Sequence, residues 1–241
     1  MSVKRHSIIL FLTLLVPWAG YGSVSAQTGT DDLRQSRSIY QNAASNQAAL
    51  YSGSVEEPYK YFFHGTPYLE TDEFTPGDLF YDGSLYHNVR LRLNTHQDIL
   101  SVQTPSRTLS VMLHQDNVGY AVIKGQRYHV ATPKEREQGL GKGYIITLHE
   151  GRFPLHWKNV KYRESNIVNR QIEYNFTSKD TYYLEKDGLF WTVSSKGSIL
   201  KHFKEHKREL NSFIKQNNLK FGKDERKESL IRLLEYAETL F

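Results

Sequence analysis

The sequence predicts a mainly β protein: an antiparallel meander of about ten strands, curved or closed into a partial barrel, with a C-terminal helical hairpin packed on it. Three observations predict it. Short apolar runs of period two recur from Tyr59 to Val193, broken by turn residues about every eight to twelve positions. The chain holds 16 Tyr and 12 Phe, rings that suit a pleated surface better than a helix. After Ser198 the apolar spacing changes to steps of three and four.

The elements follow in order. Tyr59 to Phe63 reads as the first strand, and His64-Gly65-Thr66-Pro67 turns the chain out of it. Leu79-Phe80-Tyr81 is closed by Asp82-Gly83, a pair that accepts the positive φ of a two-residue hairpin. From Leu85 a further strand begins, with Val89, Leu91 and Leu93 pointing one way and Asn88, Arg90 and Arg92 the other. Asn94 to Asp98 is a turn, and Leu100 and Val102 restart the alternation. Leu109, Val111 and Leu113 make another strand, His114 to Asn117 a turn, and Val118 to Lys124 and Gln126 to Ala131 a pair split by Gly125. Thr132 to Gly143 is a charged, glycine-rich surface loop expected to be mobile. Its glycines lead into a strand, Tyr144 to Leu148, and not into the helix N-terminus that a phosphate cradle requires.

Phe153, Leu155 and Trp157 share a face, as do Ile172, Tyr174 and Phe176. Tyr182 to Leu184 and Leu189 to Val193 flank a second Asp-Gly turn, Asp187-Gly188. One helix then carries Leu200, Phe203, Lys207, Leu210 and Ile214 on one stripe and ends at Asn217-Asn218. A second starts near Asp224 and carries Leu230, Leu233, Leu234, Ala237 and Leu240. The chain thus divides into 1–26, 27–56, 57–198 and 199–241.

The first part has the marks of a cleavable secretory signal: Lys4 and Arg5, the apolar run from Ile8 to Val16, and Val24-Ser25-Ala26. Export to the periplasm or cell envelope is the expectation, with no transmembrane span in the mature chain. Residues 27–56 are polar, with one short helix between about Asp31 and Leu50. The chain contains no Cys, which excludes disulfides and thiol chemistry, so an ordinary apolar core or a partner must supply the stability. Without Lys4 and Arg5 there are 29 basic against 26 acidic residues, and the segment from Lys201 onward accounts for the whole excess of three. That balance argues against a nucleic-acid partner.

Gly65 to Leu69 reads G-x-P-Y-L, Glu73 to Asn94 reads E-F-x-x-G-x-L-x-Y-D-G-x-x-Y-x-N-V-x-L-R-x-N, and Asp98 to Val102 reads D-x-L-x-V. This pattern resembles a signature of exported proteins of Gram-negative bacteria labelled only as hypothetical. The resemblance implies an exported β-rich fold and transfers no functional residue, catalytic group or cofactor.

Four candidates for chemistry remain. His202-Phe203-Lys204-Glu205-His206 matches H-x-x-E-H, in which two His one helical turn apart bind zinc and the Glu activates water. Only 35 residues follow His206, too few for the usual far-downstream Glu ligand, and a solvated helix face is the better account of the letters. Glu70, Glu73, Asp78 and Asp82 could supply a carboxylate pair, although acidic residues are common in turns. His149, Glu150 and His156 lack the H-E-x-x-H spacing. Tyr81, Tyr86, Arg90 and Arg92 are expected on the polar side of the first hairpin, where rings and guanidinium groups could stack on a ligand or partner protein.

The functional expectation is a non-enzymatic, cofactor-free envelope module that binds a protein partner or an apolar ligand. At the level of architecture, a meander with helices over its mouth resembles the periplasmic carriers of lipoproteins, which implies the alternative of a lipid or lipoprotein carrier. A carrier needs a large apolar cavity beneath the helices. An interaction module needs a filled core and an exposed apolar patch.

Overall fold

The computed structural model describes residues 49–241. The signal-like stretch and most of the polar segment with its expected helix lie outside the described residues. Ten strands form one unclosed antiparallel sheet: β1 (Thr75–Tyr81), β2 (Ser84–Asn94), β3 (Ile99–Gln103), β4 (Ser110–Met112), β5 (Val118–Ile123), β6 (Gln126–Val130), β7 (Tyr144–His149), β8 (Leu155–Val168), β9 (Gln171–Lys186) and β10 (Leu189–Thr192). Their order is β10-β9-β8-β7-β6-β5-β1-β2-β3-β4, so two meanders meet at a seam between β1 and β5. Asp82-Gly83, Lys124-Gly125, Asn169-Arg170 and Asp187-Gly188 all have positive φ at both positions, the geometry that matches a two-residue hairpin to strand twist.

The sheet is strongly curved. In a flat sheet β2 and β8, five strands apart, would lie about 24 Å from each other. Instead the turn after β2 touches β8: Lys161 N–H donates to Thr95 C=O at 3.2 Å, and Thr95 Oγ1 donates to Asn159 Oδ1 at 2.7 Å. The same turn reaches β7, where Tyr144 N–H donates to Asp98 Oδ1 at 3.0 Å.

Three helices cover the core face: α2 (Lys196–Leu200), α3 (Lys207–Gln216) and α4 (Arg226–Glu238), numbered after α1 (Pro133–Glu137) on the other side. Leu79, Leu91, Leu100, Ala121, Ile146, Leu155 and Leu184 from the sheet form one cluster with Leu200, Phe203, Leu210, Ile214, Leu230, Leu233, Leu234 and Ala237. Full burial of each Leu contributes about 2 kcal/mol before the entropy of ordering is subtracted. Phe213 stacks on Tyr236 at 4.1 Å and ties α3 to α4.

The opposite face carries a second, smaller cluster of Ala131, Leu140, Ile145 and Tyr183, with Phe190 against it. β7 is therefore buried on both sides, which explains its unbroken apolar run. The lid is the segment expected as a mobile loop. It contains α1, started by a reciprocal capping box in which the Thr132 hydroxyl accepts from Glu135 N–H and the Glu135 carboxylate accepts from Thr132 N–H. Lys158 pins the following glycines by donating to Leu140 C=O at 3.1 Å and to Lys142 C=O.

Four further expectations are corrected. Tyr59 to Phe63 forms no strand: Pro58 removes a donor, and the rings pack over β9 while only His64 bridges to it. Asn88 takes φ 54° within β2, so parity changes there and Tyr86 and Leu91 both face the core. β9 is one continuous strand from Gln171 to Lys186, where two separate strands were expected. The first C-terminal helix is broken: 201–206 are turns, because Phe203 inserts against Phe153 at 4.9 Å while His202 lies on Trp191 at 5.1 Å.

Candidate functional site

The four residues singled out on the first hairpin do not share a surface. Tyr81 and Tyr86 are 5% and 9% exposed and lie in the core. Burial first, then the negative charge of Asp82 and of an ionised Tyr81 hydroxyl, hold the Tyr86 hydroxyl above its ordinary pKa, despite a hydrogen bond with Ser84 that works the other way. Arg90 and Arg92 sit on the other face as expected, but both are engaged. Arg90 Nε donates to Gln103 Oε1 at 2.7 Å and its Nη2 to Phe74 C=O at 2.8 Å. The Arg92 guanidinium is sandwiched 3.7 Å from the Tyr68 ring and 4.1 Å from the Phe74 ring. It also pairs with Glu56 at 3.0 Å and donates to Asp72 C=O at 2.7 Å. These arginines clamp the segment before β1 onto β2.

The H-x-x-E-H residues lie on a turn, so the one-turn helical spacing that would converge two His on zinc is absent. His202 rests on Trp191 and His206 on Phe241 at 4.6 Å. The acidic residues near the first hairpin make separate contacts, although Glu70 and Glu73 line one small hollow. Asp78 accepts from Asn88 N–H at 3.1 Å and pairs with His87, while Glu70 pairs with Lys227 of α4 at 2.8 Å. Among the described residues no group of three or more His, Asp or Glu is placed to hold a metal ion.

Beneath α1 lies a polar relay that sequence spacing did not indicate. His129 Nε2 meets Glu135 Oε1 at 2.8 Å, Thr147 Oγ1 meets His156 Nδ1 at 3.2 Å, and His156 Nε2 meets Glu185 Oε2 at 3.1 Å. The hydroxyl–imidazole–carboxylate order is that of a nucleophile with its base. Thr147 and His156 are nevertheless buried, and of these contacts it is that of His129 with Glu135 that ties the lid to the sheet. Burial is the largest influence on His156 and lowers its pKa, against the opposing pull of Glu185.

The exposed chemistry is elsewhere. β8 pairs with β7 only from Leu155 to Trp157, yet its ladder with β9 runs 14 pairs, from Leu155 opposite Leu184 to Val168 opposite Gln171. The two strands therefore continue beyond the sheet as a ribbon, an arm closed by Asn169-Arg170. On one face stand Arg163 opposite Phe176, Ser165 opposite Tyr174, and Ile167 opposite Ile172. The segment before Gly65 lies on that face. Phe63 stacks on Phe176 at 4.6 Å and Tyr61 on Tyr174 at 5.1 Å, while His64 N–H donates to Tyr174 C=O and His64 C=O accepts from Phe176 N–H.

This packing leaves apolar surface in the open: Phe62 is 81% exposed, Ile167 79%, Ile172 61% and Tyr61 51%. Along the outer edge of β8, Lys161 N–H is taken by Thr95. Beyond it the outward N–H and C=O groups of Arg163, Ser165 and Ile167 have no hydrogen-bond partner among the described residues. An edge of unpaired backbone beside exposed aliphatic and aromatic side chains is the arrangement that accepts an added strand.

No family model, curated protein or solved structure matches this chain. The arm was only partly visible in sequence. Tyr174 and Phe176 stood out by alternation, whereas Ile167 lies in a mixed polar stretch whose strand character depends on its partner across the hairpin.

Proposed function

We propose that the chain acts in the cell envelope as a non-enzymatic protein-interaction module, and that its β8–β9 arm receives an extended strand of a partner protein. The observation that carries this reading is the unpaired edge of β8 at Arg163, Ser165 and Ile167 beside the exposed Tyr61, Phe62, Ile167 and Ile172. The partner strand supplies backbone groups in register and apolar side chains on alternate positions, so that both parts of the surface are satisfied at once. The signal-like start, Lys4-Arg5 with the apolar run to Val16, supports the location.

The packing under the helices favours this reading over carriage of a lipid. Leu210, Leu230 and Leu234 are fully buried against the sheet. A hollow of 440 Å³ beside α1 is lined by Pro133, Arg136, Glu137, Gly141 and Lys142, on the face away from these helices, and three of those five residues are charged.

The test is site-specific photo-crosslinking in whole cells, with a benzoylphenylalanine at Phe62, at Ile172, and at the exposed Leu85 of β2 as the control. The same protein adduct is expected at the first two positions and not at Leu85. Ile167→Thr combined with Ile172→Thr keeps β-branched residues at these exposed, directly opposed positions, shifts stability by no more than about 0.5 kcal/mol and removes the adduct. Equal adducts at all three positions, or adducts that survive the double substitution, refute the assignment. Adducts made only with a second copy of the chain replace the foreign partner by self-association.

A further inference from the structure

A second exposed feature lies away from the arm. Where the β9–β10 turn meets the 201–206 turn there is a hollow of 210 Å³, with Phe203 and Phe241 among its walls. That is the volume of about seven water molecules in the liquid, enough for a small organic ligand. Lys186, Lys201 and Lys204 are among the residues that line it, three cationic side chains against the single acidic one of Glu205. Lys201 and Lys204 make no ion pair among the described residues, and Lys186 reaches only the exposed Asp187 of its own turn, at 3.1 Å. Such an exposed pair contributes little and yields easily to a better partner.

His202 supplies the second observation. Its ring lines the hollow and rests on Trp191, and its Nε2 is buried without a hydrogen-bond partner. An orphaned imidazole nitrogen is a penalty that a folded chain normally avoids. Burial, then Lys201 and Lys186, hold the His202 pKa below its ordinary value, so the ring feels the local positive charge.

We propose that this hollow binds a small oxyanion, a carboxylate or phosphoryl group, held by Lys186, Lys201 and Lys204 with its apolar part against Phe203 and Phe241. The bound charge cancels the field of the lysines at His202, favours the imidazolium, and thereby gives the site its own reporter. Glu205 also lines it, and the other charged or titratable groups against its walls among the described residues are Asp187 on Lys186, His206 on Phe241, and Arg152, whose guanidinium lies 5.0 Å from the Phe241 ring. The site does not depend on the arm.

The experiment is a pH titration of the histidine Cε1–H signals of the full chain by NMR, with His202→Gln identifying its signal. It is run in inorganic phosphate, in acetate, and in chloride at matched ionic strength. A saturable shift of the His202 signal with a rise in its pKa is expected in phosphate or acetate. Lys201→Gln with Lys204→Gln, at exposed positions, weakens that binding about tenfold or more, the loss of one charge-assisted contact or two. Phosphatidylglycerol vesicles, with phosphatidylcholine vesicles as the control, separate the sources. A response to the anionic vesicles alone assigns the oxyanion to a lipid headgroup, and a response to free phosphate or acetate assigns it to a soluble ligand. A non-saturating shift, a shift shared by all histidines, or one retained in the double Gln variant overturns the proposal.

Discussion

Replacing Arg92 tests whether this arginine is structural or part of a binding surface. Arg92→Met keeps the aliphatic stem but deletes the ion pair with Glu56, the donation to Asp72 C=O and the stacking between Tyr68 and Phe74. The Glu56 side chain is only 4% exposed, so its carboxylate is left buried with the Tyr68 hydroxyl, 2.9 Å away, as its remaining partner. Removing one member of a buried pair costs about 3–5 kcal/mol, and the 16% exposure of Arg92 places this case at about 3. For a domain of this size that is a fall in Tm of about 6–12 °C. Urea unfolding followed by tryptophan fluorescence measures it, with Glu56→Gln and the double variant completing a cycle. A coupling of about 1.5 kcal/mol or more is expected, because the second substitution removes the charge that the first stranded. If Arg92→Met costs less than about 1 kcal/mol, or the two effects add, the clamp is not structural.

Two other outcomes follow from the lid over the second cluster. Burial alone would raise the pKa of Glu135, but hydrogen bonds from His129 and from the N–H and hydroxyl of Thr132 outweigh it and lower it from 4.5 to about 2. Because the folded value lies below the unfolded one, the stabilisation of about 3 kcal/mol is complete above about pH 4.5 and is lost as the pH falls toward 2. Glu135→Gln should therefore lower the urea midpoint at pH 7 and flatten its fall between pH 5 and 2.5, and parallel midpoint curves would count against the relay. Gly143, at φ 95°, has the Asp98 carboxylate where a Cβ would stand, whereas Gly139 at φ 94° has open space. Gly139→Ala should cost about 1 kcal/mol of backbone strain, and Gly143→Ala about 1–3 kcal/mol more through loss of the Asp98 contact to Tyr144 N–H, as read by thermal unfolding. Equal losses at the two positions would show that the Asp98 contact is dispensable.

The fold was legible wherever one local rule acted alone. β5 and β6 emerge from alternation around Lys124-Gly125, and Asp82-Gly83 and Asp187-Gly188 announce their hairpins, because pleat and turn chemistry are both written in adjacent residues. Legibility failed where a distant contact decided. The parity change at Asn88 moved Tyr86 into the core, and no rule of period two contains it. Tyr59 to Phe63 has every strand propensity, yet its rings found Tyr174 and Phe176 more than a hundred residues away. The capping letters Thr132 and Glu135 were present but read as loop, since the helix they start is only five residues long. The exposed arm needed a pairing length, and pairing length is a property of two strands together.

The seam between the two meanders bears on how the chain reaches this state. Eight of the nine ladders join strands that are consecutive in the chain, and their hairpins form within microseconds once their turns close. β1 and β5 alone must find each other across the whole first meander. Until they do, two strands with Leu79 and Ala121 on their apolar sides stand open to other chains. The topology predicts that this search limits refolding: in stopped-flow chevron measurements, substitutions in the seam should slow folding while those in the arm should change mainly the unfolding rate.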